Sequence, residues 1–110
     1  DRRAEVSPGV PSVAFQHIPT VDFAYGGDGL CGGYDGEGGV SPVRSDAGLL
    51  EALVDADVSF LAVGHNHGND YCCPHKGDTS LCFGRHSGYG GYGTWDRGAR
   101  VYVLELDDKG

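Results

Sequence analysis

The stretch Val58-Ser59-Phe60-Leu61-Ala62-Val63-Gly64-His65-Asn66-His67-Gly68-Asn69-Asp70 decides how this chain is read. Its first six residues form a short apolar run with β-branched and aromatic side chains, which predicts a buried strand, and the glycines after them predict a turn. Two histidines therefore fall where a strand ends. In an extended segment the side chains at i and i+2 leave on the same side, so the rings of His65 and His67 are expected to converge on one point. Neutral imidazole ligates zinc, iron, nickel or copper, and a strand end holds it at a fixed angle. A lone His-x-His pair is more often an ordinary loop pair. Here Gly64 and Asn66 tolerate the unusual dihedrals of a sharp turn around a bound group. A third imidazole, His17, ends a second apolar segment, Val13-Ala14-Phe15-Gln16-His17-Ile18-Pro19. Three histidines at two strand ends point to a metal centre. The alternative for His17 is a buried histidine bonded to a carbonyl.

Working outward, Ser45 is placed to cap a helix over 46–56, with Asp46 near its positive end and Leu49, Leu50, Leu53 and Val54 on one apolar face. That helix feeds the histidine-bearing strand, making an αβ unit. A first strand is expected over 12–18, closed by Pro19, a further short strand over 80–84, and a last one over 97–106, where Val101 and Val103 alternate with Tyr102. Residues 1–11 read as an entering loop or a cut end, 12–106 as the domain, and 107–110 as a solvated tail. Between 20 and 42 lies a Gly-rich loop whose Asp22, Asp28, Asp35 and Glu37 lack EF-hand spacing and read as a solvated acidic surface. Asp70 can accept the far N–H of a ligating imidazole or close an Asx turn. Arg85 can hold a phosphate by paired hydrogen bonds or bridge to an acidic side chain, and His86 can protonate a leaving oxygen.

Composition sets the outer bounds. The 110 residues fit one domain at most, 39% are hydrophobic and 20 are Gly, so the core is small. The strands read as near-continuous apolar runs, which suits a sheet covered on both faces, yet the pattern offers one convincing helix. Covering structure is therefore expected from outside these residues. A net charge of −8 and a pI of about 4.8 argue against nucleic acid as the main partner. A small phosphoester stays open, since bound cations invert the local potential. No basic amphipathic stretch and no apolar run of roughly 20 residues supports a membrane role. The chain starts at Asp1 without a signal-like segment, so targeting information is expected to lie outside it. The four cysteines, Cys31, Cys72, Cys73 and Cys82, favour disulfides and a secreted protein or the lumen of an oxidising compartment. A structural zinc site of Cys72, Cys73, His75, Cys82 and His86 is the weaker alternative, because adjacent cysteines lack chelating spacing.

Several motifs together resemble a known family. Phe15-Gln16-His17-Ile18-Pro19, then Gly64-His65-Asn66-His67 with Asn69-Asp70-Tyr71-Cys72, then Leu81-Cys82-Phe83-Gly84 and Gly88-Tyr89-Gly90-Gly91-Tyr92-Gly93 are similar, in order and spacing, to the last motifs of calcineurin-like metallophosphoesterases of the purple-acid-phosphatase-like branch. The resemblance runs from about Ser12 to Leu106. It implies the α/β fold class, as the C-terminal half of a metallophosphoesterase β-sandwich flanked by helices. It implies that His17 and His65 bind the second of two divalent or trivalent metal ions (iron, zinc or manganese) and that His67 binds the first. It implies hydrolysis of a phosphoester substrate, a phosphomonoester above all, by a dinuclear centre. It also implies that Cys72 pairs with Cys82, with Cys31 and Cys73 as the other pair, although sequence alone allows three pairings. The Gly-Tyr stretch is implied to be a structural turn near the site.

The departures bear on activity. The family's earlier motifs, Asp-x-His, Gly-Asp and Gly-Asn-His followed by an acidic residue, supply the bridging carboxylate and further ligands. Here the only Gly-Asp pair near the start, Gly27-Asp28, follows His17 instead of preceding it. An N-terminal segment, on a companion chain or a common precursor, is therefore expected to complete the centre, and the chain alone to be inactive. The competing expectation is a non-catalytic secreted module that keeps the fold.

Overall fold

A computed structural model describes residues 10–25 and 36–105. The ends of the chain with the tail at 107–110, and the middle of the Gly-rich loop (26–35) with Asp28, Asp35 and Cys31, lie outside the described residues. The fold is a mixed α/β arrangement built on one four-stranded sheet. In chain order it comprises β1 (Ser12–Gln16), a 3-10 turn (Val21–Tyr25), α1 (Leu49–Asp55), β2 (Val58–Val63), β3 (Cys72–Pro74) and β4 (Ser80–Phe83). The sheet order is β1-β2-β4-β3; β1 and β4 run parallel to the central β2, and β3 is antiparallel to β4.

Strand alternation sorts the side chains into two faces. Leu61 and Val63 of β2, Leu81 and Phe83 of β4, and Cys73 of β3 form the buried side, with Ala14 of β1 against them. α1 covers that side with Leu50, Leu53 and Val54, and Phe23 and Tyr71 fill the remainder. Phe83 is wholly buried, with the rings of Phe23 and Tyr71 each 5.0 Å away in edge contact. The Thr79 hydroxyl donates to the Val58 carbonyl at 2.6 Å, tying the start of β4 to the start of β2. On the opposite face Phe15 meets Phe60 edge-on at 5.9 Å, and Tyr102 stacks on Phe60 at 4.3 Å. Phe15 nevertheless remains 69% exposed.

Two expectations are corrected, and one strand is added. α1 begins at Leu49 rather than at Asp46, because Asp46 Oδ1 accepts the Gly48 N–H at 2.8 Å and Gly48 takes a left-handed turn (φ 77°) before the helix can start. No strand forms over residues 97–105, although their alternation suits one. This segment crosses the sheet instead of extending its edge: Arg100 Nε donates to the Phe83 carbonyl at 2.9 Å and Gly98 N–H to the His86 carbonyl at 3.1 Å, while Val101 and Val103 stay exposed. Conversely β3, which the sequence does not announce, pairs Cys72 directly with Cys82, and these two form a disulfide. Cys73 is also disulfide-bonded. Among the described residues no helix is long and apolar enough to cross a membrane.

Candidate metal centre

Three parallel strands deliver their C-terminal ends to one edge of the sheet, where open α/β sheets bind ligands. The ladder continues just past the strands, with Gly64 N–H donating to the His17 carbonyl at 3.0 Å and Gly84 N–H to the Val63 carbonyl at 2.8 Å. His17, His65, Arg85 and His86 therefore emerge side by side. The rings of His17 and His65 lie 5.2 Å apart between centroids, in an edge-to-face arrangement. With metal–nitrogen bonds of about 2.1 Å and a ring centre about 1.1 Å behind the nitrogen, two imidazoles on one tetrahedral cation stand roughly 5 Å apart. The His17–His65 pair fits that spacing.

His67 does not join them. The segment after Val63 is a tight turn, with Asn66 N–H bonded back to the Gly64 carbonyl at 2.8 Å, and His65 itself holds a left-handed backbone (φ 68°). The same-side rule for extended chains therefore does not apply to this turn. His67 stacks on Tyr92 at 4.0 Å and on His86 at 5.5 Å. Its Nδ1 lies 3.0 Å from the Tyr92 carbonyl, and His86 Nδ1 lies 2.9 Å from the His67 carbonyl. A carbonyl only accepts, so in the neutral rings both Nδ1 atoms carry the hydrogen and both Nε2 atoms present a lone pair. That is the tautomer a metal ligand or a proton acceptor needs. Among the described residues no group of three or more His, Cys, Asp and Glu is gathered closely enough to hold a metal ion.

Asp70 and Arg85 find each other. Arg85 Nη2 donates to Asp70 Oδ2 at 2.6 Å, and Nη1 donates to the Asp96 carbonyl at 3.2 Å. Of the two readings open to Arg85, a bridge to an acidic side chain is the arrangement found, and Asp70 steadies a guanidinium. A cavity of about 450 Å³ beside the strand ends is lined by His17, Gly64, Phe15, Tyr102, Ala62 and Arg100.

The turn carrying His65 and His67 is held from below by residues that pattern reading passed over. Asn66 and Asn69 are buried: Asn66 Oδ1 accepts from Ser41 N–H at 3.2 Å, and Asn69 Nδ2 donates to the Gly39 carbonyl at 2.8 Å. The Glu37 carboxylate, read as part of a solvated acidic loop, accepts hydrogen bonds from Asn66 Nδ2 (2.9 Å), Gly68 N–H (3.0 Å) and the Tyr92 hydroxyl (2.7 Å). Burial pushes its pKa up, but these bonds outweigh that and hold it below the ordinary carboxyl value. Burial and the bond to Glu37 both push the Tyr92 phenol above its ordinary value. Trp95 donates from Nε1 to the Gly36 carbonyl at 3.1 Å and lies so close to Gly68 and Gly93 that neither has room for a Cβ. A glutamate among glycines carries no signal of such a role; the Gly-x-Gly spacing around Tyr92, three residues before Trp95, does signal close backbone approach.

Three curated plant proteins from Arabidopsis thaliana are similar to the chain. It is 37% identical to "Probable inactive purple acid phosphatase 29" over 90% of its own length, 34% identical to "Probable inactive purple acid phosphatase 28" over 96%, and 30% identical to "Probable inactive purple acid phosphatase 14" over 88%. The chain spans about a quarter of the length of each, at 26%, 26% and 25%. No family model matches it, and no solved structure matches it at comparable significance. With the motif order, the strand-end histidines and these relatives in agreement, the chain belongs to the purple-acid-phosphatase-like family.

Proposed function

We propose that this chain is the C-terminal part of a two-sheet metallophosphoesterase domain, and that the completed domain hydrolyses phosphomonoesters. The observation that carries the reading is the approach of His17 and His65 to 5.2 Å at neighbouring ends of parallel strands. An N-terminal segment, on a common precursor or a companion chain, supplies the remaining ligands and a second sheet over the face that exposes Phe15. Two bound cations of iron, zinc or manganese supply the positive charge that neutralises phosphoryl oxygens and acidifies water. His17 and His65 hold one of them, and His67, with its Nε2 lone pair free, serves the other. Arg85, braced by Asp70, orients the phosphate, and His86 delivers a proton to the leaving oxygen through Nε2 once its ring is protonated. The Cys72–Cys82 disulfide supports a secreted location or an oxidising lumen.

A second reading has its own support. The relatives are named inactive, and the described residues gather fewer than three ligands at any point. On that reading the chain is a non-catalytic module that keeps the scaffold. Metal content and hydrolysis of an aryl phosphate, measured on the chain alone and combined with a polypeptide bearing the Asp-x-His and Gly-Asn-His motifs, separate the two. Hydrolysis in the combined sample that falls at least a hundredfold in His17→Ala and His65→Ala supports the enzyme. Absence of both metal and hydrolysis in the combined sample leaves the binding module.

A further inference from the structure

Glu37 joins three separated pieces of chain. Its carboxylate takes hydrogen bonds from the turn (Asn66 Nδ2 and Gly68 N–H) and from the Gly-Tyr segment (the Tyr92 hydroxyl), while its own N–H donates to Asn69 Oδ1 at 3.2 Å. The Tyr92 hydroxyl is also 3.1 Å from the His65 carbonyl, but its single hydrogen favours the shorter, charge-assisted bond to Glu37 at 2.7 Å. With the hydroxyl so oriented, its oxygen is left to accept the His67 N–H at 3.3 Å, while the Tyr92 ring stacks on His67. Three donors thus converge on a group that only accepts. An isosteric amide there would set an N–H₂ against at least one of them. The turn so held contains His65 in a left-handed conformation, which persists only where the surroundings over-determine it.

We propose that Glu37 is a positioning residue for the histidine turn: through Asn66, Gly68 and Tyr92 it fixes where the His67 ring points. What the turn is positioned for rests on the metal-centre reading; the positioning does not.

The test uses the full 110-residue chain. In metal-free protein, NMR follows the ring-current shift of His67 from Tyr92 and amide exchange at Asn66, Gly68 and Asn69, with Leu61 and Phe83 as references. In Glu37→Gln, exchange at the turn is expected to rise at least tenfold and the His67 shift to collapse, while the reference amides change less than twofold. The double variant Glu37→Gln/Tyr92→Phe is expected to disturb the turn less than the sum of the two single variants, because the two share the Tyr92–Glu37 hydrogen bond. If turn and reference amides rise together, or nothing changes, the proposal is overturned. Should Glu37→Gln fail to fold, Glu37→Asp, which keeps the charge and withdraws the carboxylate from its three donors, decides alone: an unmoved His67 signal overturns the proposal, and a collapsed one supports it. A zinc titration then tests the metal reading separately. If the His17 and His65 rings of the unaltered chain ignore zinc, that reading falls while the metal-free result still decides Glu37. If they respond, Glu37→Gln is expected to weaken zinc binding about tenfold.

Discussion

Gly91 shows how tightly single positions are specified around the turn. Its backbone sits at φ +91°, and a Cβ there would lie 2.6 Å from His67 Cε1. Either constraint alone disfavours a side chain; together they predict that Gly91→Ala costs about 1–3 kcal/mol in a urea titration and unstacks His67 from Tyr92. Thr79 is fixed by a different rule. Its buried hydroxyl satisfies the Val58 carbonyl, so Thr79→Val, which keeps the shape and orphans the acceptor, is expected to lose about 1–3 kcal/mol in the same measurement. Tyr102 ionises late: burial raises its phenol above the ordinary value and Arg100 pulls it back only in part. A raised phenol favours the neutral form, so the stability it contributes is complete below its unfolded pKa and is lost as pH rises through the folded one. Tyrosine-resolved NMR titration is expected to show Tyr102 and Tyr92 ionising above the ordinary phenol value, and Tyr102→Phe to blunt alkaline unfolding.

Among the elements, α1 carries the cover of the sheet with few residues. Leu50, at 4% exposure, is its buried anchor, so Leu50→Ala is expected to cost about 2–5 kcal/mol by urea denaturation. The strands β2 and β4 were legible because each is a short apolar run closed by Gly, and burial on both sides leaves such a run little else to do. The stretch 97–105 had the right alternation and still makes no strand, since alternation says which way side chains face and nothing about whether a sheet edge is free. β3 was illegible for the converse reason: three residues ending in Pro74 carry no pattern, and the pairing with β4 and the disulfide between Cys72 and Cys82 define it. At the site, the adjacency of His17 and His65 followed from two parallel strand ends. The departure of His67 did not, because the left-handed residue is His65 and not the neighbouring Gly64. Glu37 was invisible because its partners are distant in sequence.

For the molecule as a whole, the two faces of the sheet are unequal. One is sealed by α1, Phe23 and Tyr71; the other leaves Phe15, Val101, Val103 and Leu104 more than half exposed. The isolated chain is therefore expected to bind a hydrophobic dye and to self-associate as its concentration rises, with Phe15→Ser reducing both in fluorescence and sedimentation measurements. The strand order has a further consequence, in the order of assembly. β3 and β4 are close neighbours along the chain, so their pairing closes a short loop, whereas Ser12 of β1 must find Val58 of β2 across the Gly-rich loop and α1. Closing the longer loop costs more entropy before any contact rewards it, so β1 docks late and, as an edge strand, detaches early. His17 travels with it. The two imidazoles that meet at the sheet edge thus belong to an inner strand and to the last strand to dock, and each transient release of that peripheral strand separates them while the rest stays folded.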